Sequence, residues 1–280
     1  MGSAPQGLRR VPGARNVARG LREGWERIRP FPRPRYRADT PRAGSSDALD
    51  PNLLPSIATL AAAATSTDAT SYVSDVLDKL TPDRGAIAGR YYYHWAQARF
   101  GKHLRHADIL TALWAAAFII RPSSYLEIGV HRGRSLTVVG AVAPRCAIYG
   151  FDLWIPEYAG ASNPGPEFVR GELRAVGHSG EVELVSGDSR ETLPAFLHKH
   201  PDLYFDLVTI DGDKSVIGAA TDFAYALPRL KIGGAVVFDD MPVVPVLRRV
   251  WERVIERDRR YLNWEFSEGT RGVAAAIRIG

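Results

Sequence analysis

One cysteine in 280 residues leaves no partner for an internal disulfide and rules out a cysteine-built zinc site. Cys146 stands among Ala143, Ala147 and Ile148, the setting of a small buried hydrophobe rather than a nucleophile, and it fits a reducing, cytoplasmic compartment. No apolar h-region follows the amino terminus, which argues against a secretory signal. The longest apolar run, 112–120, is too short to span a bilayer. Internal repeats are absent. Also missing is the second glycine of a dinucleotide-binding G-x-G-x-x-G turn, because Val130 and His131 follow Gly129 where it would stand.

The overall charge of +5 is uneven. Residues 1–45 hold eleven arginines against Glu23, Glu26 and Asp39, a balance of +8, so the rest of the chain carries −3. A slightly acidic folded part argues against a nucleic-acid-binding core, and leaves the tail a weak contact with an anionic surface. Hydrophobic content of 45% and charged content of 24% are ordinary for a globular chain long enough for one large domain or two small ones.

The composition divides the chain in three. Residues 1–50 are rich in Arg, Pro and Gly and read as a disordered tail, with helical character only over Asn16 to Ile28. Residues 51–121 are helical in pattern: Tyr72, Val76, Leu77 and Leu80 make one stripe, and Ile109, Leu113, Trp114, Ala117 and Ile120 another. Between them Tyr91, Tyr92, Tyr93, Trp95 and Phe100 form an aromatic cluster suited to core or to the surface of a homodimer, with a lid over a ligand as the alternative. From 122 to 280 strands alternate with helices. Strands are predicted at 123–128, 146–151, 181–186, 204–210 and 233–238, and helices at 134–143, 165–177, 189–199, 215–228 and 243–259. That alternation means an α/β fold with a doubly wound parallel sheet. Tyr261–Phe266 and Val273–Ile279, separated by SEGTRG, read as a closing hairpin.

The chain is organised around SYLEIGVHRGRSL, 124–136, a strand that feeds a glycine turn and then a helix opened by Ser135. Such a junction presents free backbone N–H groups to a ligand at the carboxyl end of a sheet. Every other strand end also delivers a carboxylate: Asp152, then Asp188 with Ser189, then Asp211 and Asp213 with Lys214, then Asp239 and Asp240. Carboxylates are costly inside a sheet, and stability alone does not collect them along one edge. Asp152 suits the two hydroxyls of a ribose, and Asp188, supported by Ser189, suits an adenine amine. Asp211, Asp239 and Asp240 would repel one another unless a cation or a proton neutralised them, and all-oxygen ligation suits Mg²⁺. The alternative for Asp240 is to cap a helix beginning near Pro242. A nearby cation and partial burial would lower the pKa of Lys214 towards that of a general base, with Asp213 competing for the role.

Taken together, LEIGVHRGRS (126–135), GFDLW (150–154), SGDSRETLP (186–194), FDLVTIDGDKS (205–215) and GGAVVFDD (233–240) resemble the class I S-adenosylmethionine-dependent methyltransferases. The likeness spans about 105–280 and points to the divalent-metal O-methyltransferases of the catechol, caffeoyl-CoA and macrocin types. It implies a Rossmann-like seven-stranded sheet with the last strand inserted beside the fifth. It also implies that Glu127, Gly129 and Gly133 line the methionine end of the cofactor, with Asp152 at the ribose and Asp188 at the adenine. By the same resemblance Asp211, Asp239 and Asp240 hold Mg²⁺, with Lys214 or Asp213 as the base acting on a small-molecule hydroxyl. A histidine is commoner at the Lys214 position in macrocin-type relatives. The loop 154–168 has no counterpart in the family pattern. The competing readings are a nicotinamide-dependent oxidoreductase, which gives Asp239 and Asp240 no work, and a non-catalytic binding module on the same fold.

Overall fold

A computed structural model describes residues 55–158, 162–241, 243–268 and 272–280. The basic tail and the Asn16–Ile28 segment lie outside them.

Four helices precede the sheet: α1 (Ile57–Ala64), α2 (Thr67–Lys79), α3 (Arg84–Phe100) and α4 (Ile109–Ile120). Their starts follow local chemistry. Ser66, Asp83 and Asp108 each cap a helix by accepting backbone N–H bonds, and Asp108 forms a capping box with Thr111. The α4 sequence ILTALWAAAFII is apolar nearly all round, so the helix buries itself. It packs on β4, β5 and β7, and thereby becomes part of one covering layer of the sheet.

The sheet follows as β1 (Ser124–Ile128), α5 (Arg134–Val142), β2 (Ala147–Asp152), α6 (Pro166–Ala175), β3 (Val182–Ser186), α7 (Ser189–Lys199), β4 (Phe205–Ile210), α8 (Val216–Ala226), β5 (Leu230–Asp239), α9 (Pro245–Trp251), β6 (Tyr261–Phe266) and β7 (Val273–Arg278). The strand order is β3-β2-β1-β4-β5-β7-β6. Five strands are parallel, and the terminal hairpin inserts β7 antiparallel beside β5. This is the doubly wound, seven-stranded arrangement implied by the motif resemblance. One face carries Tyr125, Ile148, Leu207, Ala235 and Val237 into the core beneath the N-terminal helices. The other is sealed by rings: Phe223, Phe238 and Trp251 meet one another, and Phe196 meets both Tyr149 and Phe151.

Two elements depart from expectation. β5 starts at Leu230 rather than 233 and runs through Gly233 and Gly234, with a shift of register against β4. Gly233, at φ 83°, absorbs a bulge inside the strand, so these glycines mark an irregularity rather than a boundary. The helix expected over 243–259 is shorter: α9 ends at Trp251 and a π-type turn, Glu252–Glu256, follows.

Chain order reverses between β1 and β4: from β1 the chain moves out to β2 and β3, then returns to β4 on the other side. A crevice opens at the carboxyl ends of strands at such a switch. There the ladder continues past the strands, with Gly129 N–H on Phe151 O at 2.8 Å, Asp211 N–H on Ile128 O at 2.8 Å and Gly187 N–H on Asp152 O at 2.9 Å.

Candidate active site

The turn after β1 is shaped by what it must pass. Gly129 has φ 92°, and a Cβ there would overlap the Asp211 carbonyl oxygen, so only glycine lets the β1 and β4 ends approach. Gly133, at φ 75°, is the N-cap of α5 and supplies no side chain to the helix N–H groups. The α5 amino terminus therefore keeps donors for an anionic group.

Glu127 lies under this turn with no exposed surface. Tyr125 donates to its Oε2, Ser135 Oγ donates to Oε1 at 2.5 Å, and Thr209 Oγ1 meets the Tyr125 hydroxyl at 2.7 Å. Burial pushes the Glu127 carboxyl up to about 8, against the lowering effect of Ser135 and Tyr125. In the ligand-free chain Glu127 and Ser135 thus clasp the turn from below.

Asp152 closes β2 and faces the same turn. Its Oδ2 accepts the His131 N–H at 2.8 Å, and its Oδ1 accepts the Trp154 N–H at 2.5 Å and the Asn163 amide at 3.4 Å. Two buried polar atoms of the segment after β2 have no partner among the described residues: Asn163 Oδ1 and the Trp154 indole nitrogen. Unsatisfied buried groups beside a glycine turn fit a polar ligand that would complete them. Asp188 is less available. It caps α7 through Arg190 N–H, and the Arg190 guanidinium at 2.5 Å holds its carboxyl below the ordinary range. Ser189 turns away from Asp188 and donates to Asp222 Oδ1 at 2.8 Å. Asp222, on α8, is 1% exposed, its Oδ2 has no partner among the described residues, and burial pushes its carboxyl up to about 7.

Across the switch, carboxylate oxygens of Asp211, Asp239 and Asp240 all lie within 4.8 Å of one another. Lys214 stands among them, paired with Asp211 and, at 3.1 Å, with Asp240. Burial by itself would lower the lysine pKa, but Asp211, Asp239 and Asp240 outweigh it and hold the ammonium well above the ordinary value. Lys214 is thus a counter-charge to the carboxylates around it. One ammonium does not balance three carboxylates. Burial accordingly raises Asp211 and Asp239, with neighbouring carboxylates adding to it. Hard oxygen donors clustered short of positive charge fit a divalent ion. The capping alternative for Asp240 is overturned, since α9 begins at Pro245 with Val244 as its N-cap. Asp240 instead sits at φ 58° with its carboxylate on Lys214. Asp213 is exposed and accepts from the Ser215 N–H at 2.8 Å and the Ser215 hydroxyl at 2.9 Å, at the start of α8.

Several residues escaped the motif reading. Arg132, nearly buried in the glycine turn, pairs through Nε with Asp83 at 2.7 Å, donates to Ser162 O at 3.3 Å and covers the Phe168 ring at 4.5 Å. Asp83 also takes Arg134 at 2.9 Å while capping α3. Thr81 is bound by Glu172 of α6 through its N–H, at 2.9 Å, and its hydroxyl. These bonds seat the N-terminal helices against the glycine turn and α6. They join residues tens of positions apart and leave no local pattern, although an Asp before a helix and the R-G-R run are visible signals.

A seven-stranded 3-2-1-4-5-7-6 sheet with a glycine turn and strand-end carboxylates at its switch defines a class I methyltransferase-type nucleotide fold. Residues 126–241 match the family model described as a methyltransferase domain. Among solved structures, the calicheamicin methyltransferase CalS11 superposes with a TM-score of 0.50 at 22% identity, covering 85% of this chain and 100% of that one. The O-methyltransferase TomG from Streptomyces achromogenes, involved in tomaymycin synthesis and solved in complex with SAM, gives 0.50 at 22% identity, covering 76% and 96%. Among curated protein sequences none matches. The chain resembles the class I S-adenosylmethionine-dependent methyltransferases, the class its motifs suggested, and no helix of the described residues is long and apolar enough to cross a membrane.

Proposed function

We propose that the chain is a cytoplasmic enzyme that transfers the methyl group of S-adenosylmethionine to a hydroxyl of a small-molecule acceptor (a sugar, a phenol or another natural product), assisted by Mg²⁺. The observation that carries this reading is the Asp211, Asp239 and Asp240 cluster beside a glycine turn within a methyltransferase domain. When bound, the sulfonium cofactor supplies an electrophilic methyl group, and a divalent ion supplies the positive charge that makes a hydroxyl easier to ionise.

The chain's own residues then bind, orient and move a proton. Glu127, Gly129, Gly133 and Ser135 shape the methionine end, Asp152 takes the ribose, and Asp188 and Ser189 border the adenine. Asp211 touches both halves of the site, because its backbone lies against Gly129 and its carboxylate joins the metal cluster. Holding an acceptor oxygen in line with the methyl group can supply about 7–11 kcal/mol of the barrier in well-oriented reactions. The acceptor proton is assigned to Lys214 or Asp213. Asp213 is exposed and its carboxylate keeps lone pairs free to accept that proton, while Lys214 stands within the carboxylate cluster. Exposed Leu153, Ile155 and Tyr158 after β2 support an acceptor with an apolar or aromatic face. Exposed Ile87, Tyr91 and Trp95 on α3 support pairing of two copies.

Calorimetric titration with S-adenosylmethionine, with and without Mg²⁺, tests the reading. Binding is expected in both, and release of S-adenosylhomocysteine with a hydroxyl acceptor only with the metal. Failure to bind removes the methyltransferase reading, and turnover in excess chelator removes the metal part alone.

A further inference from the structure

The loop from Asp152 to α6 is fastened at two neighbouring residues. Ser162 O accepts from Arg132 of the glycine turn at 3.3 Å, and the Asn163 amide donates to Asp152 Oδ1 at 3.4 Å. Together they bring a loop that the family pattern does not place onto the strand end assigned to the ribose.

The lone pairs of Asp152 limit how many donors it can take. A carboxylate offers about four acceptor positions. Three are taken, by the His131 N–H at 2.8 Å, the Trp154 N–H at 2.5 Å and the Asn163 amide. A ribose brings two neighbouring hydroxyls, each a donor, and Asp152 has room for one. The second needs another acceptor close by. Asn163 Oδ1 is that acceptor: it is buried, has no hydrogen-bond partner among the described residues, and belongs to the same amide whose nitrogen reaches Asp152. The orientation of the amide is set by the carboxylate, since turning it over would place two acceptors face to face. Only a donor can satisfy the oxygen left over, and leaving a buried acceptor unpaired is costly.

We infer that Asn163 is a nucleoside-binding residue that shares the ribose diol with Asp152, its Oδ1 accepting one hydroxyl while the carboxylate accepts the other. This rests on the proposed cofactor and adds to it a ligand from outside the motifs.

The test is calorimetry on the full chain with S-adenosylhomocysteine and its 2′-deoxy and 3′-deoxy forms, for the unaltered protein and Asn163→Ala. The unaltered protein is expected to lose affinity when either hydroxyl is removed. Asn163→Ala is expected to bind S-adenosylhomocysteine about tenfold more weakly, one hydrogen bond's worth. It should also become indifferent to one of the two hydroxyls. Equal affinity in variant and parent overturns the inference. So does an equal loss for all three compounds, which marks a residue that only shapes the loop. If S-adenosylhomocysteine fails to bind the unaltered protein, the cofactor assignment itself is wrong. Binding with no effect at Asn163 refutes only the shared diol.

Discussion

Glu127 offers a measurement that separates a buried neutral acid from a charged one. Its carboxyl, without exposed surface and held by Tyr125 and Ser135, has a folded-state value of about 8 against an ordinary 4.5. At about 1.36 kcal/mol per pH unit, that separation is worth about 5 kcal/mol. The direction is set by linkage. Below pH 4.5 the group is protonated in both states and the fold has its full stability. Between 4.5 and about 8 the unfolded chain ionises while the folded chain keeps its proton, so stability falls as pH rises. Above about 8 both are ionised and the loss is complete. Glu127→Gln places a neutral amide of the same shape between the same hydroxyls. Urea unfolding at intervals from pH 4.5 to 8.5 should show the variant and parent converging at the acid end. The variant should be more stable at the alkaline end, by up to about 5 kcal/mol. Asp222 is also raised and tilts both curves alike, whereas Asp211, whose charge acts on Glu127, keeps a share in the difference. Parallel curves would mean that Glu127 is ionised in the fold, and the neutral clasp would be refuted.

Asp83→Ala removes the α3 cap and both arginine pairings at once, leaving Arg132 nearly buried and unpaired; a loss of about 3 kcal/mol in urea unfolding is expected. Gly129→Ala drives a methyl group against the Asp211 carbonyl in a backbone conformation that only glycine adopts freely. It should cost about 2 kcal/mol or more and weaken cofactor binding in calorimetry. Asp211→Ala and Asp239→Ala are expected to abolish methyl transfer while cofactor still binds, as judged by turnover beside calorimetry. Retention of turnover in either variant would discard the metal cluster.

Much of the architecture was legible because it is local. The alternation of β-rich runs with helical stripes follows from backbone period, and β1 through β4 fall within a residue or so of their expected positions. The hairpin showed in two β-rich runs around a turn. Gly233 and Gly234 misled because glycine marks a bulge and a boundary equally well. The end of α9 was hidden because the stripe of apolar residues continues through the π-type turn.

The sequence by itself determined which strand ends carry carboxylates, since each acid stands beside a β run in plain order and needs only its own strand to be placed. Tertiary structure decided how those acids are used. Lys214 pairs with Asp211 and Asp240, Asp188 is bound to Arg190, Ser189 belongs to Asp222, and Asn163 reaches Asp152 beside the bond of Arg132 to Ser162. Charge state and hydrogen-bond partner are properties of surroundings, and those surroundings come from β4 meeting β5 and from Ser162 and Asn163 reaching Arg132 and Asp152. No spacing along the chain encodes them.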